Sequence, residues 1–87
     1  MKIKSQYYIS FDEGDISIME RLQGGGERVV SPISATAAMV WDGLIRGMKE
    51  DALIDAVANE FSADPTLVAA DLEAFLRQLI VLGYAEE

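Results

Sequence analysis

Asp64-Pro65-Thr66-Leu67-Val68-Ala69-Ala70-Asp71-Leu72-Glu73-Ala74-Phe75-Leu76-Arg77-Gln78-Leu79-Ile80-Val81-Leu82-Gly83 reads as one helix with both ends marked. Asp64 can accept hydrogen bonds from the free N–H groups of the first turn, and Pro65 suits the first helical position. Gly83 can take the left-handed conformation that follows a last turn. At about 100° per residue, Val68, Leu72, Phe75, Leu76 and Leu79 share one arc, the stripe expected to face a core. Leu67, Asp71, Ala74, Gln78 and Leu82 form a mixed stripe beside it, while Ala69, Glu73 and Arg77 point to solvent. The mixed stripe is either the rim of the core or one wall of a groove.

Two shorter helices precede this one. Ser34 is placed to cap a helix over Ala35–Ile45 that ends near Arg46-Gly47, with Ala37, Val40, Trp41, Leu44 and Ile45 on its apolar side. A lone tryptophan on such a side is core material rather than a ligand platform. The second helix spans about Glu50 to Phe61 and presents Leu53, Ile54, Val57, Ala58 and Phe61 at helical spacing. Its acidic first turn suits the positive end of the helix dipole.

The opening third alternates instead. Ile3, Tyr7, Ile9 and Phe11 fall on one side of an extended segment, with Lys2, Lys4, Gln6, Tyr8 and Ser10 on the other. This predicts a first strand over about residues 3–10 and a turn over 11–15. A second strand follows over 16–22, and a glycine-rich tip at Gln23-Gly24-Gly25-Gly26 leads to a short third strand, Glu27–Ser31, stopped by Pro32. The triple glycine is not a phosphate loop, because neither Lys-Ser nor Lys-Thr follows it and no helix opens directly after it. Three antiparallel strands followed by three helices make an α+β winged helix-turn-helix.

Eighty-seven residues suffice for one domain, residues 1–87, burying only about 60% of the surface the unfolded chain exposes. With 51% apolar and 25% charged residues the composition is globular, and no uncharged run is long enough to span a bilayer. The N-terminus lacks the pattern of a secretion signal, so a cytoplasmic location is expected. Cysteine and histidine are both absent, which removes thiol chemistry, thiolate metal sites and the usual neutral-pH proton carrier. The carboxylate groups Glu50-Asp51 and Asp12-Glu13/Asp15 sit where solvated acids are ordinary, and the latter lacks the calcium-loop pattern. No enzymatic activity, cofactor or metal is expected.

The net charge of −8 is unevenly distributed: residues 1–49 carry six acids and six bases, whereas residues 50–87 carry nine acids and Arg77 alone. DNA-binding proteins draw non-specific affinity from cations that neutralise phosphates, so a recognition helix bearing Asp64, Asp71 and Glu73 argues against nucleic acid. A strand at a sheet edge exposes unpaired backbone groups that can accept a partner strand. The third strand carries Val29 and Val30 without blunting lysines. It is the natural acceptor if the third helix lies beside it, with Asp71 available to a basic group or backbone N–H of the incoming peptide.

Ser31-Pro32-Ile33-Ser34-Ala35-Thr36-Ala37-Ala38-Met39-Val40-Trp41-Asp42-Gly43-Leu44, followed by Leu53–Phe61, Ala63-Asp64-Pro65, Val68–Leu76, Leu79 and Gly83-Tyr84, resembles the PqqD-like family, also called RiPP recognition elements. The resemblance covers about residues 6–85. It departs from the family pattern at Gly47-Met48-Lys49-Glu50, where a Ser or Thr cap is missing, and in the triple-glycine hairpin. Such proteins capture the leader segment of a ribosomally made precursor peptide, which joins the third strand and packs on the third helix. They deliver it to a maturation enzyme such as a radical SAM enzyme, a cyclodehydratase or a leader peptidase. The resemblance implies peptide-binding residues Arg28, Val29, Val30 and Ser31 on the strand, and Leu67, Asp71, Ala74, Phe75, Gln78 and Leu82 on the helix. A proline at Val30 is then expected to weaken leader binding without unfolding the chain. The alternative is a general interaction or homodimerisation module.

Overall fold

The computed structural model describes residues 1–87. The chain order is β1 (Lys2–Ile3), β2 (Tyr7–Asp12), β3 (Asp15–Arg21), β4 (Glu27–Pro32), α1 (Ala35–Ile45), α2 (Glu50–Phe61), α3 (Pro65–Val81) and β5 (Ala85–Glu86). Strands β2-β3-β4 form an antiparallel meander ahead of the three helices, which is the expected α+β winged helix-turn-helix. No helix is long and apolar enough to cross a membrane.

The helix ends follow their chemistry. Asp64 Oδ1 accepts the Thr66 N–H at 2.9 Å, and Ser34 Oγ accepts the Ala37 N–H at 3.1 Å. Gly83 adopts φ 85°, and the Tyr84 and Gly83 N–H groups donate to Leu79 and Ile80 carbonyls, the paired bonds of a Schellman motif. The second helix lacks a side-chain cap: Lys49 holds the capping position with extended backbone and no hydrogen bond from its side chain. Lys49→Ser, which supplies an acceptor at that position, is expected to stabilise the protein by about 1 kcal/mol, read as a rise in the thermal midpoint.

Two apolar clusters meet across α1. Ile3, Ile18, Trp41, Leu79 and Ala85 form the sheet-side cluster, and Val40, Leu53, Val57 and Leu72 the helix-side one. Trp41 is 2% exposed, as its place on the apolar side of α1 predicts. Gly43 lets α1 and α2 approach closely, because a Cβ there would overlap the Leu53 side chain.

The N-terminal segment departs from the expected single strand over 3–10. Lys4 N–H donates to the Tyr84 carbonyl at 2.9 Å, and Lys2-Ile3 pair with Glu86 and Ala85, so the chain start joins the chain end. A turn from Tyr7 N–H to Lys4 C=O then starts β2 in a different sheet. The first loop is also tighter than expected. Only Glu13 and Gly14 separate Asp12 from Asp15, with φ 50° and 87°, the positive angles a two-residue type I′ hairpin requires. Phe11, assigned by alternation to the inner side, is 73% exposed, at the rim of the space between β2 and α1.

Candidate functional site

β4 is an edge strand, paired only with β3. Its two ends fix which backbone groups are free. Leu22 N–H donates to Gly26 C=O, and Ile33 N–H donates to Ile16 C=O. Antiparallel alternation from these two bonds turns the backbone of Arg28 and Ser31 toward β3, and that of Val29 toward open solvent. Pro32 also falls at an outward position, where its missing N–H breaks no ladder bond. Between Met19–Val29 and Ile18–Ser31 the register slips by one residue, leaving Val30 as the extra residue of a bulge. Val29 is exposed, whereas Val30 packs against the sheet-side core.

That same core receives Phe75, Leu76 and Ile80 from α3, so β4 and α3 flank one apolar layer. Beyond the end of β4, the start of α1 faces α3 across an apolar cleft of about 200 Å³. Ser34, Thr36 and Ala37 form one wall, Val68, Asp71 and Phe75 the other, and Val40, Val57 and Leu72 its floor. Asp71 is an exposed carboxylate on an otherwise mainly apolar lining. At the opposite end, Arg28 Nε donates to Glu20 Oε1 at 2.7 Å across the β3–β4 pair. This hydrogen bond and the charge of Glu20 hold the guanidinium above its ordinary pKa, so it remains a fixed positive charge.

The sequence-predicted residues therefore fall into three groups. Asp71 and Phe75 line the cleft. Val29 and Arg28 lie along the open edge, with Val30 turned inward and Ser31 turned to its β3 partner and half-buried. Leu67, Ala74, Gln78 and Leu82 are exposed along the flank of α3 without lining that cleft, and Leu67 and Leu82 keep 65% and 64% of their surface exposed. The α1 wall of Ser34, Thr36 and Ala37 was missed as site material. Its signal was the run of small side chains Ser34-Ala35-Thr36-Ala37-Ala38, which leaves room at the start of α1. No group of three or more acidic side chains is arranged to hold a metal ion.

A winged-helix sheet whose β4 edge is open, together with a mainly apolar cleft and an acidic third helix, is suited to an extended polypeptide and ill suited to phosphate. The family model described as Coenzyme PQQ synthesis protein D (PqqD) matches residues 22–84. The chain belongs to that family. Among solved structures it is similar to "TbiB1 in Complex with the TbiA(beta) Leader Peptide", at 27% identity and a TM-score of 0.73, over 99% of this chain and 95% of that one. Comparison with curated proteins gives no match.

Proposed function

We propose that this protein is a non-catalytic carrier of a precursor peptide, whose leader segment adds as a strand to β4 and rests against α3. The observation that carries the reading is the open Val29 edge of β4, whose neighbour Val30 packs on the same core as Phe75 of the Asp71–Phe75 cleft, in a fold similar to a protein whose structure contains a leader peptide. The peptide's backbone bonds to the edge, an apolar side chain enters the cleft, and a basic group or N–H of the peptide meets Asp71. The residues assigned to the peptide are Arg28, Val29, Val30, Ser31, Leu67, Asp71, Ala74, Phe75, Gln78 and Leu82. The bound leader is then presented to a maturation enzyme in the cytoplasm, the carrier itself supplying no chemistry.

A surface of this size supports micromolar-class binding, about −8 kcal/mol. Backbone NMR titration of labelled protein with a leader peptide encoded beside the gene tests the reading. Shifts concentrated in residues 28–32 and 67–82 are expected. Saturable shifts confined to other residues would overturn the site, and no shifts with any neighbouring leader would overturn the function.

A further inference from the structure

The sheet has a second open edge, and its residues are self-complementary. β2 is the other outer strand of the meander. Arg21 N–H donates to Gln6 C=O at 2.7 Å, and alternation from that bond turns the backbones of Tyr7, Ile9 and Phe11 away from β3. Tyr7 N–H is already taken by Lys4 C=O, which leaves the Tyr7 carbonyl and both polar groups of Ile9 and Phe11 free. Between this edge and α1 lies a cleft of about 350 Å³ whose lining includes Tyr7, Ile9, Trp41 and Ile45. Phe11 and Ile45 stand at it as large exposed apolar side chains, 73% and 59% exposed.

Charge selects the occupant. The approach to β2 is basic, with Lys4 and Arg21 at the cleft, while its far end is acidic, with Asp12, Glu13 and Asp15. A second copy of β2 laid antiparallel brings each basic end beside the partner's acidic turn, and a two-fold axis makes the match twice. A parallel copy sets like charges together. We infer that the β2 edge is a self-association surface, on which two copies pair antiparallel about Ile9 to form a continuous six-stranded sheet. In that register the two Ile9 residues exchange both backbone bonds, and each Phe11 N–H donates to the opposite Tyr7 carbonyl. Each Phe11 side chain lies over the partner's Tyr7, toward the Trp41–Ile45 cleft. Both β4 edges stay at the outer ends of the sheet, so the pairing leaves them free and does not depend on the peptide reading.

Sedimentation of the full chain from about 10 μM to about 1 mM tests the pairing. The expected result is a mass that rises with concentration toward twice the monomer. Phe11→Arg alters a solvent-exposed side chain and is expected to keep the native circular dichroism while remaining monomeric throughout. Lys4→Glu is expected to weaken the dimer about tenfold, with Glu13→Lys in the same chain restoring it. A wild-type chain that stays monomeric overturns the inference. A dimer unaffected by Phe11→Arg but lost in Val29→Arg also overturns it, by placing the contact on β4.

Discussion

Trp41→Ala is expected to remove about 3–5 kcal/mol of folding stability, the usual loss for truncating a large buried aromatic side chain. For an 87-residue chain the whole native stability is about 4–13 kcal/mol. The variant is therefore expected to be largely unfolded or to melt far below the wild type. Trp41 is the side chain that several elements share. It is in the cluster that joins Ile3 of β1, Ile18 of β3, Leu79 of α3 and Ala85 of β5. Its ring meets Tyr84 edge-on at 6.1 Å, and Tyr84 in turn meets Tyr7 edge-on at 5.0 Å. Loss of the indole leaves a cavity bordered by both the sheet and the last helix, and short strands β1 and β5 cannot close it. Urea denaturation followed by far-UV circular dichroism measures the effect, since fluorescence disappears with the only tryptophan. Trp41→Phe, which keeps an aromatic plane in the same place, is expected to lose roughly half as much. A loss below 1 kcal/mol in the alanine variant would show that the two clusters hold independently of this residue.

The helices were legible because each is specified locally. Ser34, Asp64, Pro65 and Gly83 mark ends through bonds made within a few residues, and the apolar spacing of α3 requires no knowledge of what covers it. The sheet was legible in its order but less so in its edges. Alternation put Phe11 beside Ile9, yet whether an inward position is covered depends on how far the helices extend, which is a tertiary fact. The split between β1 and β2 is likewise decided by the Tyr84 carbonyl, some eighty residues from Lys4. A two-residue strand such as Ala85-Glu86 carries no periodic signal of its own. The bulge at Val30 is the most consequential omission. It leaves Val29 exposed on the edge and packs Val30 on the core, and no glycine or proline at that position announces it.

The charge of the last helices was readable from composition, and the fold gives it meaning. A winged helix aligned to read DNA needs cations on the third helix to release counterions from phosphate. Here the only base on α3 is Arg77, 4.0 Å from Glu73 one turn earlier and exposed to solvent. The fold therefore keeps its geometry while its electrostatics favour a different ligand.

The bulge changes which backbone substitution separates binding from folding. A proline at Val30, expected from the sequence to weaken binding without unfolding, instead replaces a side chain that packs against the buried sheet-side cluster, so that change removes core contacts and lowers stability as well. Val29 is the position where the two effects part. Its side chain is exposed and its N–H points away from β3, so Val29→Pro removes an outward donor without breaking a ladder bond. The thermal midpoint is expected to move little, while affinity for a leader peptide falls about tenfold, the equivalent of one unreplaced backbone hydrogen bond. Asp71→Ala removes an exposed charge at the far end of the same surface and is expected to weaken binding a few-fold. If the two sites act on separate parts of one extended ligand, the losses multiply in the double variant. Isothermal titration of the four proteins against one leader peptide measures this directly. Wild-type affinity in Val29→Pro would exclude strand addition at β4, and a double variant no weaker than Val29→Pro alone would place Asp71 outside the binding surface.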